Sequence, residues 1–153
     1  MAEGERRIAL SQREGFELEV HWDDTQAPLI SDESPPLGRG LGPNPGQLLL
    51  AAVATCMTDS LVFALRKFAL DAGRLQTQAR GQIGRNEAGR QRVLEIQVDL
   101  QLAQIPPDTV KLERVLGQFE QFCTVGQSVA QGIPTVVRVL GPDGSVLTPL
   151  NPT

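Results

Sequence analysis

The chain is poor in the residue types that build metal centres and single-strand nucleic-acid surfaces. Its 153 residues include one histidine, two cysteines and no tyrosine, and aromatic residues make up 4%. A structural zinc site takes a full set of Cys and His ligands, whereas Cys56 and Cys123 lie far apart without a Cys-x-x-Cys spacing. We therefore predict no metal and no other cofactor. Few aromatic side chains also leave little for nucleic-acid bases to stack on.

Positive charge and long apolar segments are scarce as well. The chain has 14 Lys and Arg residues against 18 Asp and Glu residues, a formal net charge of −4, which offers nothing to a phosphate backbone. The N-terminal charges have no apolar segment behind them, and the longest apolar run, "LLLAAVATCM", is about half of the roughly 20 residues that cross a membrane. We predict a soluble cytoplasmic protein that binds neither nucleic acid nor membrane.

What is present is a pattern of strands followed by a long helix. The length predicts one domain over residues 1–153. Alternation of apolar and polar residues predicts strands over about 6–12 and 15–22, with Glu17 on the polar face of the second, and a third strand in "APLIS". After a loop rich in proline and glycine, Asn44 and Pro45 are typical of a helix start. The helix continues through "GQLLLAAVATCMTDSLVFALRKFALDAG".

The second half of the chain repeats the order of strands and then helix. A long antiparallel hairpin is predicted from "RLQTQARGQIG" and "QRVLEIQVDLQLA", with the residues Leu94, Ile96, Val98, Leu100 and Leu102 on one face. A helix in "DTVKLERVLGQFEQFC", a further turn or short helix in "TVGQSVAQG" and a strand in "IPTVVRVL" follow. This order predicts an α+β fold with a mainly antiparallel sheet around a long buried central helix.

The first half of the central helix has apolar or small residues on nearly every face, so we expect it to be wholly buried. One small sheet covers only one side of such a helix. We therefore predict a homodimer in which a second copy covers the other side.

The segment "SDESPPLG…GPNPGQLLLAAVATCMTDSL", with a second cysteine late in the chain in "FCTVGQSV", resembles the OsmC/Ohr family of osmotically inducible and organic hydroperoxide resistance proteins. The resemblance implies an intertwined homodimer with a cysteine pair that reduces organic hydroperoxides and is restored by a thiol or dithiol reductant. Cys56 would be the attacking thiol and Cys123 the resolving one. An arginine would hold the thiolate; Arg39, near the helix start, is the first candidate, and Arg6, Arg7 and Arg13 remain open.

The chain departs from the family pattern at two positions. The glutamate that orients the arginine in the family is expected in "PGQL", where this chain has Gly46 and Gln47, and a neutral amide cannot form a paired ionic contact. Thr124 stands where proline commonly follows the second cysteine. The residues predicted to bind substrate are Gln47 and the apolar side chains near the first thiol, Leu48, Met57 and Phe63, which favour an alkyl peroxide.

A reactive Cys56 needs a neighbour that stabilises its negative charge. It lies beyond the first turn of the helix, where the helix dipole is effective, and Asp59, three residues on, opposes a thiolate. Burial alone would leave an unreactive thiol. Two alternatives therefore stay open: a family member without peroxidase activity that binds a small apolar or thiol-reactive ligand, and a redox-sensing dimer whose disulfide changes its stability.

Overall fold

Three short antiparallel strands form the N-terminal part of the chain. In the computed structural model, which describes residues 4–22 and 26–148, β1 (Ala9–Gln12), β2 (Leu18–His21) and β3 (Leu29–Ser31) lie in the order β1-β2-β3. They confirm the three predicted strands. By its internal contacts the chain divides into two compact units, Met1–Leu49 and Leu50–Thr153, and the single domain stays a prediction.

The loop after β3 folds around the buried carboxylate of Asp32. This carboxylate accepts hydrogen bonds from the backbone N–H groups of Glu33 at 2.8 Å, Arg39 at 2.9 Å and Leu41 at 3.2 Å. Burial opposes ionisation, but these three bonds outweigh it and lower the pKa of Asp32. The loop is irregular, as its proline and glycine content predicts.

The central helix α1 (Pro45–Lys67) begins where the Asn44-Pro45 pair predicts. The Asn44 Oδ1 accepts the Gln47 N–H at 2.9 Å, and the Gln47 Oε1 accepts the Asn44 N–H at 2.9 Å. This reciprocal pair is a capping box, which satisfies two N–H groups at the helix start.

Burial of α1 within a single chain is confined to one stripe, so the wholly buried first half stays a prediction that depends on the homodimer. The buried residues recur every four positions: Val53, Met57, Leu61 and Leu65. Outside that stripe the side chains of α1 are less buried in the single chain, and Phe63 keeps 68% of its surface exposed. Within the described part of the chain, α1 is long and apolar enough to cross a membrane, but core helices of soluble proteins pass the same test.

A mixed sheet forms the second unit. The long hairpin of β4 (Gln76–Arg85) and β5 (Gln91–Gln101) is antiparallel as predicted, but β6 (Thr135–Leu140) pairs with β5 in parallel, so the sheet is less purely antiparallel than expected. Parallel neighbours need a long crossover, which the intervening helices supply. The buried face carries Ile96, Val98, Leu100 and Leu102. Leu94, expected there, lies at a bulge and is 41% exposed.

The crossover between β5 and β6 contains two short helices, and the first of them ends earlier than the predicted segment "DTVKLERVLGQFEQFC". α2 (Thr109–Leu116) ends at Gly117, whose N–H donates to the Glu113 carbonyl at 3.0 Å. A single 3-10 turn over Phe119–Phe122 follows, and α3 (Thr124–Ala130) then begins directly after Cys123. This break places Cys123 at the start of a helix.

Candidate active site

The two thiols meet at the start of α3, where each sulfur accepts a hydrogen bond from one of two successive backbone N–H groups. The half-buried Cys56 of α1 accepts the Val125 N–H at Sγ over 3.4 Å. The buried Cys123 accepts the Gly126 N–H at Sγ over 3.3 Å and so caps α3. Both cysteines are free thiols. The fold therefore brings together the two cysteines that the sequence singled out.

Gly126 allows α3 to approach the thiols closely. A Cβ atom at this position would lie 2.8 Å from the Cys123 Sγ and 2.7 Å from the Met57 Cε. Such separations are shorter than carbon and sulfur atoms tolerate without movement. Only glycine lets the amide of residue 126 reach the Cys123 sulfur while Met57 packs beside it.

Cys123 is the thiol that retains its proton. Burial, followed by the hydrogen bond with Cys56, raises the pKa of the Cys123 thiol to about 11. The Gly126 N–H and a hydrogen bond with Ser60, one turn after Cys56 on α1, act in the opposite direction without cancelling the rise. The Cys123 S–H is thus a proton donor beside Cys56 at neutral pH.

In the first unit, Arg39 is held by a glutamate that sequence reasoning did not select. An Arg39 Nη2 contacts the Glu17 carboxylate, and it lies 3.5 Å from a Glu14 oxygen. The Glu17 side chain is 7% exposed, and its other oxygen lies 3.4 Å from an Arg13 nitrogen. The hydrogen bond with Glu17 raises the pKa of the Arg39 guanidinium, whose side chain is 59% exposed.

The position of Glu17 contradicts the predicted alternation. Glu17 was expected on the polar face of the strand, but it is buried, and the preceding Phe16 is 52% exposed. The strand begins only at Leu18, and Glu17 belongs to the preceding turn, in which its N–H donates to the Glu14 carbonyl at 2.9 Å. Strand periodicity does not apply to a turn residue, which is why the pattern gave no signal for it.

The predicted substrate-binding residues have separate environments. Gln47 uses its side-chain oxygen for the capping box of α1. Leu48 is half-buried, and both residues belong to the first unit. Met57 is buried beside Gly126, and Phe63 is exposed on α1. Of the four, Met57 is the one that packs beside Gly126, the residue whose N–H binds the Cys123 sulfur. Among residues 4–22 and 26–148, no group of three or more His, Cys, Asp and Glu side chains is arranged to hold a metal ion.

Solved structures with the same fold come from several bacteria. An OsmC-like protein of unknown function from Vibrio cholerae superposes with a TM-score of 0.77 at 16% identity over 90% of this chain and 100% of its own. An OsmC-like protein from Mycoplasma pneumoniae gives 0.77 at 17% identity over 92% and 99%. The organic hydroperoxide resistance protein OhrB of Bacillus subtilis gives 0.65 at 15% identity over 87% and 97%.

These likenesses establish an α+β OsmC-like fold with a long central helix. A comparison with curated protein sequences gave no significant match. The family described as OsmC-like protein matches residues 38–138, which include both cysteines and all of α1. The chain belongs to the OsmC-like protein family.

Proposed function

We propose that the protein is a thiol peroxidase that reduces organic hydroperoxides, with Cys56 as the attacking thiol and Cys123 as the resolving thiol. The observation that carries the proposal is the meeting of both sulfurs on the successive amides of Val125 and Gly126. A cysteine that served only to pack the core would not need a second thiol within hydrogen-bonding distance. Membership of a family that resembles the hydroperoxide resistance proteins supports the same chemistry.

The reaction consumes one peroxide and oxidises two thiols. The Cys56 thiolate attacks the terminal peroxide oxygen, an S–O bond forms as the O–O bond breaks, and the leaving alkoxide takes a proton to become an alcohol. The Cys123 sulfur then attacks the Cys56 sulfenic acid. The S–S bond forms, the S–O bond breaks, and the departing hydroxide takes the Cys123 proton to leave as water. An external thiol or dithiol reductant restores both thiols by exchange.

The pKa of Cys123 supports this division of roles. With its pKa raised to about 11, Cys123 stays protonated at neutral pH and does not compete with Cys56 for the peroxide. Part of the rise comes from the negative charge on Cys56. A sulfenic acid on Cys56 is neutral, so this part is removed once Cys56 has reacted. Cys123 therefore becomes a better nucleophile when resolution requires it.

We assign to Arg39 the role of orienting the peroxide and stabilising charge on Cys56. Its guanidinium is charged, held by Glu17 and largely exposed. Glu17 thereby supplies the ionic contact that Gly46 and Gln47 lack. A fixed arginine loses less conformational entropy on binding a peroxide oxygen than a free one.

The proposal includes a homodimer with an apolar substrate pocket. Phe63 and the small residues Ala51 and Ala52 of α1 are exposed in one chain. An intertwined second copy would cover this surface and keep water from the thiols. Apolar walls would favour alkyl hydroperoxides over hydrogen peroxide.

Treatment of the reduced protein with one equivalent of cumene hydroperoxide tests the function. We expect rapid loss of both free thiols, a Cys56 to Cys123 disulfide in the mass spectrum, and one alcohol released per protein. Cys56→Ser should abolish peroxide consumption. Cys123→Ser keeps a capping oxygen at the start of α3 and should still consume peroxide once, stopping at the sulfenic acid. Slow loss of thiols in the wild type, or full turnover by Cys56→Ser, would contradict the proposal and favour a ligand-binding protein.

A further inference from the structure

Among the residues that the structure describes, Val125 is the one whose backbone N–H donates to the Cys56 sulfur, at 3.4 Å. Cys56 is the twelfth residue of α1, where the helix's own N–H groups are bonded to carbonyls one turn back. Asp59 on the same helix carries a negative charge that disfavours a thiolate nearby. Support for a negative Cys56 sulfur inside the second unit therefore has to come from another element, and α3 supplies it.

The Val125 N–H is held in place by its neighbours on both sides. Cys123 caps α3 through the Gly126 N–H at 3.3 Å, and Gly126 packs so closely against Met57 that a Cβ atom would not fit. The amide of Val125 lies between these two fixed residues. A donor that is already oriented needs no reorganisation when charge develops on the sulfur.

We infer that the Val125 peptide N–H is a catalytic group that stabilises the Cys56 thiolate. The inference rests on the proposed peroxidase function and adds a contribution from the backbone to that of Arg39. A hydrogen bond to an ionised acceptor is shorter and roughly twice as strong as one to a neutral acceptor. The Val125 N–H therefore binds the thiolate more strongly than the thiol, and it shifts the equilibrium towards the reactive form.

The test compares two proline substitutions in the full chain. Val125→Pro removes the N–H that reaches Cys56, whereas Thr124→Pro changes the preceding residue, where proline suits the first position of a helix and both sulfur-bound amides remain. The measured quantity is the rate at which iodoacetamide alkylates Cys56 at pH 7, followed by mass spectrometry. We expect Val125→Pro to slow alkylation about tenfold, the effect of one weak charge-assisted hydrogen bond, and Thr124→Pro to leave it unchanged.

A second pair covers the case in which Val125→Pro disturbs α3. Replacement of Val125 by its α-hydroxy acid exchanges the peptide N–H for an ester oxygen and keeps the side chain, and the same exchange at Thr124 is the control. Slower alkylation in the Val125 ester alone supports the inference; equal rates in both esters overturn it. Rapid disulfide formation by the wild type together with equal ester rates would leave the peroxidase standing and remove only the role of Val125.

Discussion

At the scale of the residue, the proton on Cys123 is the feature with the most direct consequences. The thiol is buried, it caps α3, and its pKa is raised to about 11, chiefly by burial and then by the hydrogen bond with Cys56. A Cys123 that stays protonated at neutral pH fits the resolving role that we propose for it. The same proton couples folding of the reduced protein to pH.

We expect the reduced protein to lose stability in alkaline solution through Cys123. The unfolded chain releases this proton near pH 9.0 and the folded chain near 11, so between these values the folded state binds more protons. The stabilising contribution is fully present below about pH 9 and is lost as the pH rises towards 11. Urea unfolding at pH 8 and pH 10 measures it. Cys123→Ser keeps a cap for α3 but has no thiol, so its free energy of unfolding should fall less between pH 8 and pH 10 than that of the wild type. Equal falls in both proteins would contradict the assignment of this pH dependence to Cys123.

Glu17 shows what a residue pattern can and cannot predict about the site. The two cysteines were selectable because they stand in a recognisable motif, and Arg39 because it lies close to it. Glu17 has no motif, and its burial depends on a turn that brings it to Arg39 across 22 positions of sequence. A partner fixed by tertiary contact leaves no periodic signal in the chain.

At the scale of the element, the start of α1 explains why Gln47 is not available as a free binding group. Its side-chain oxygen and the Asn44 side chain each accept the other residue's backbone N–H. A glutamate serves the same capping box as a glutamine. The position that departs from the family pattern is therefore still used, for helix formation.

This capping box predicts different effects for two substitutions. Asn44→Ala should lower the free energy of unfolding by about 1 kcal/mol because it removes the cap. Gln47→Glu should be neutral or slightly stabilising, since a carboxylate accepts the same bond and is favoured near a helix N-terminus. Urea unfolding at pH 7 measures both. If Gln47→Glu destabilised as much as Asn44→Ala, the capping box would not be the role of Gln47.

Elements with a strong local signal were predictable, and those shaped by their neighbours were not. The start of α1 follows from Asn44-Pro45, and the long hairpin follows from its alternation. The end of α2 at Leu116 did not follow, because apolar residues keep helical spacing across Gly117. The parallel pairing of β6 with β5 depends on the route of the crossover, which no residue pattern records.

At the scale of the whole molecule, α1 has more apolar surface than one chain covers. Its buried stripe accounts for one side, and Phe63 remains 68% exposed. Large exposed apolar side chains on a core helix are typical of an interface. The sequence predicted such a surface, but it took the structure to define which residues lie on it.

Sedimentation equilibrium at micromolar concentration tests the homodimer. We expect the wild type to sediment as a dimer and Phe63→Glu to shift towards monomer, because a charge would be placed in an apolar interface. Val110→Glu makes the same kind of change at a side chain of α2 that is 76% exposed and is the matched control. A well-folded wild-type monomer would contradict the predicted dimer.

The loop around Asp32 has a consequence for how this molecule can change over evolutionary time. One carboxylate gathers three backbone amides, and a Cβ atom at Gly38 or Gly42 would lie within 2.3 Å of a neighbouring oxygen. Leu37 and Leu41, in contrast, point into solvent. The loop is therefore free to vary in its exposed side chains while its length is fixed. Selection should therefore remove insertions and deletions in this loop while its exposed side chains vary. A fixed loop length keeps Arg39 in the same position.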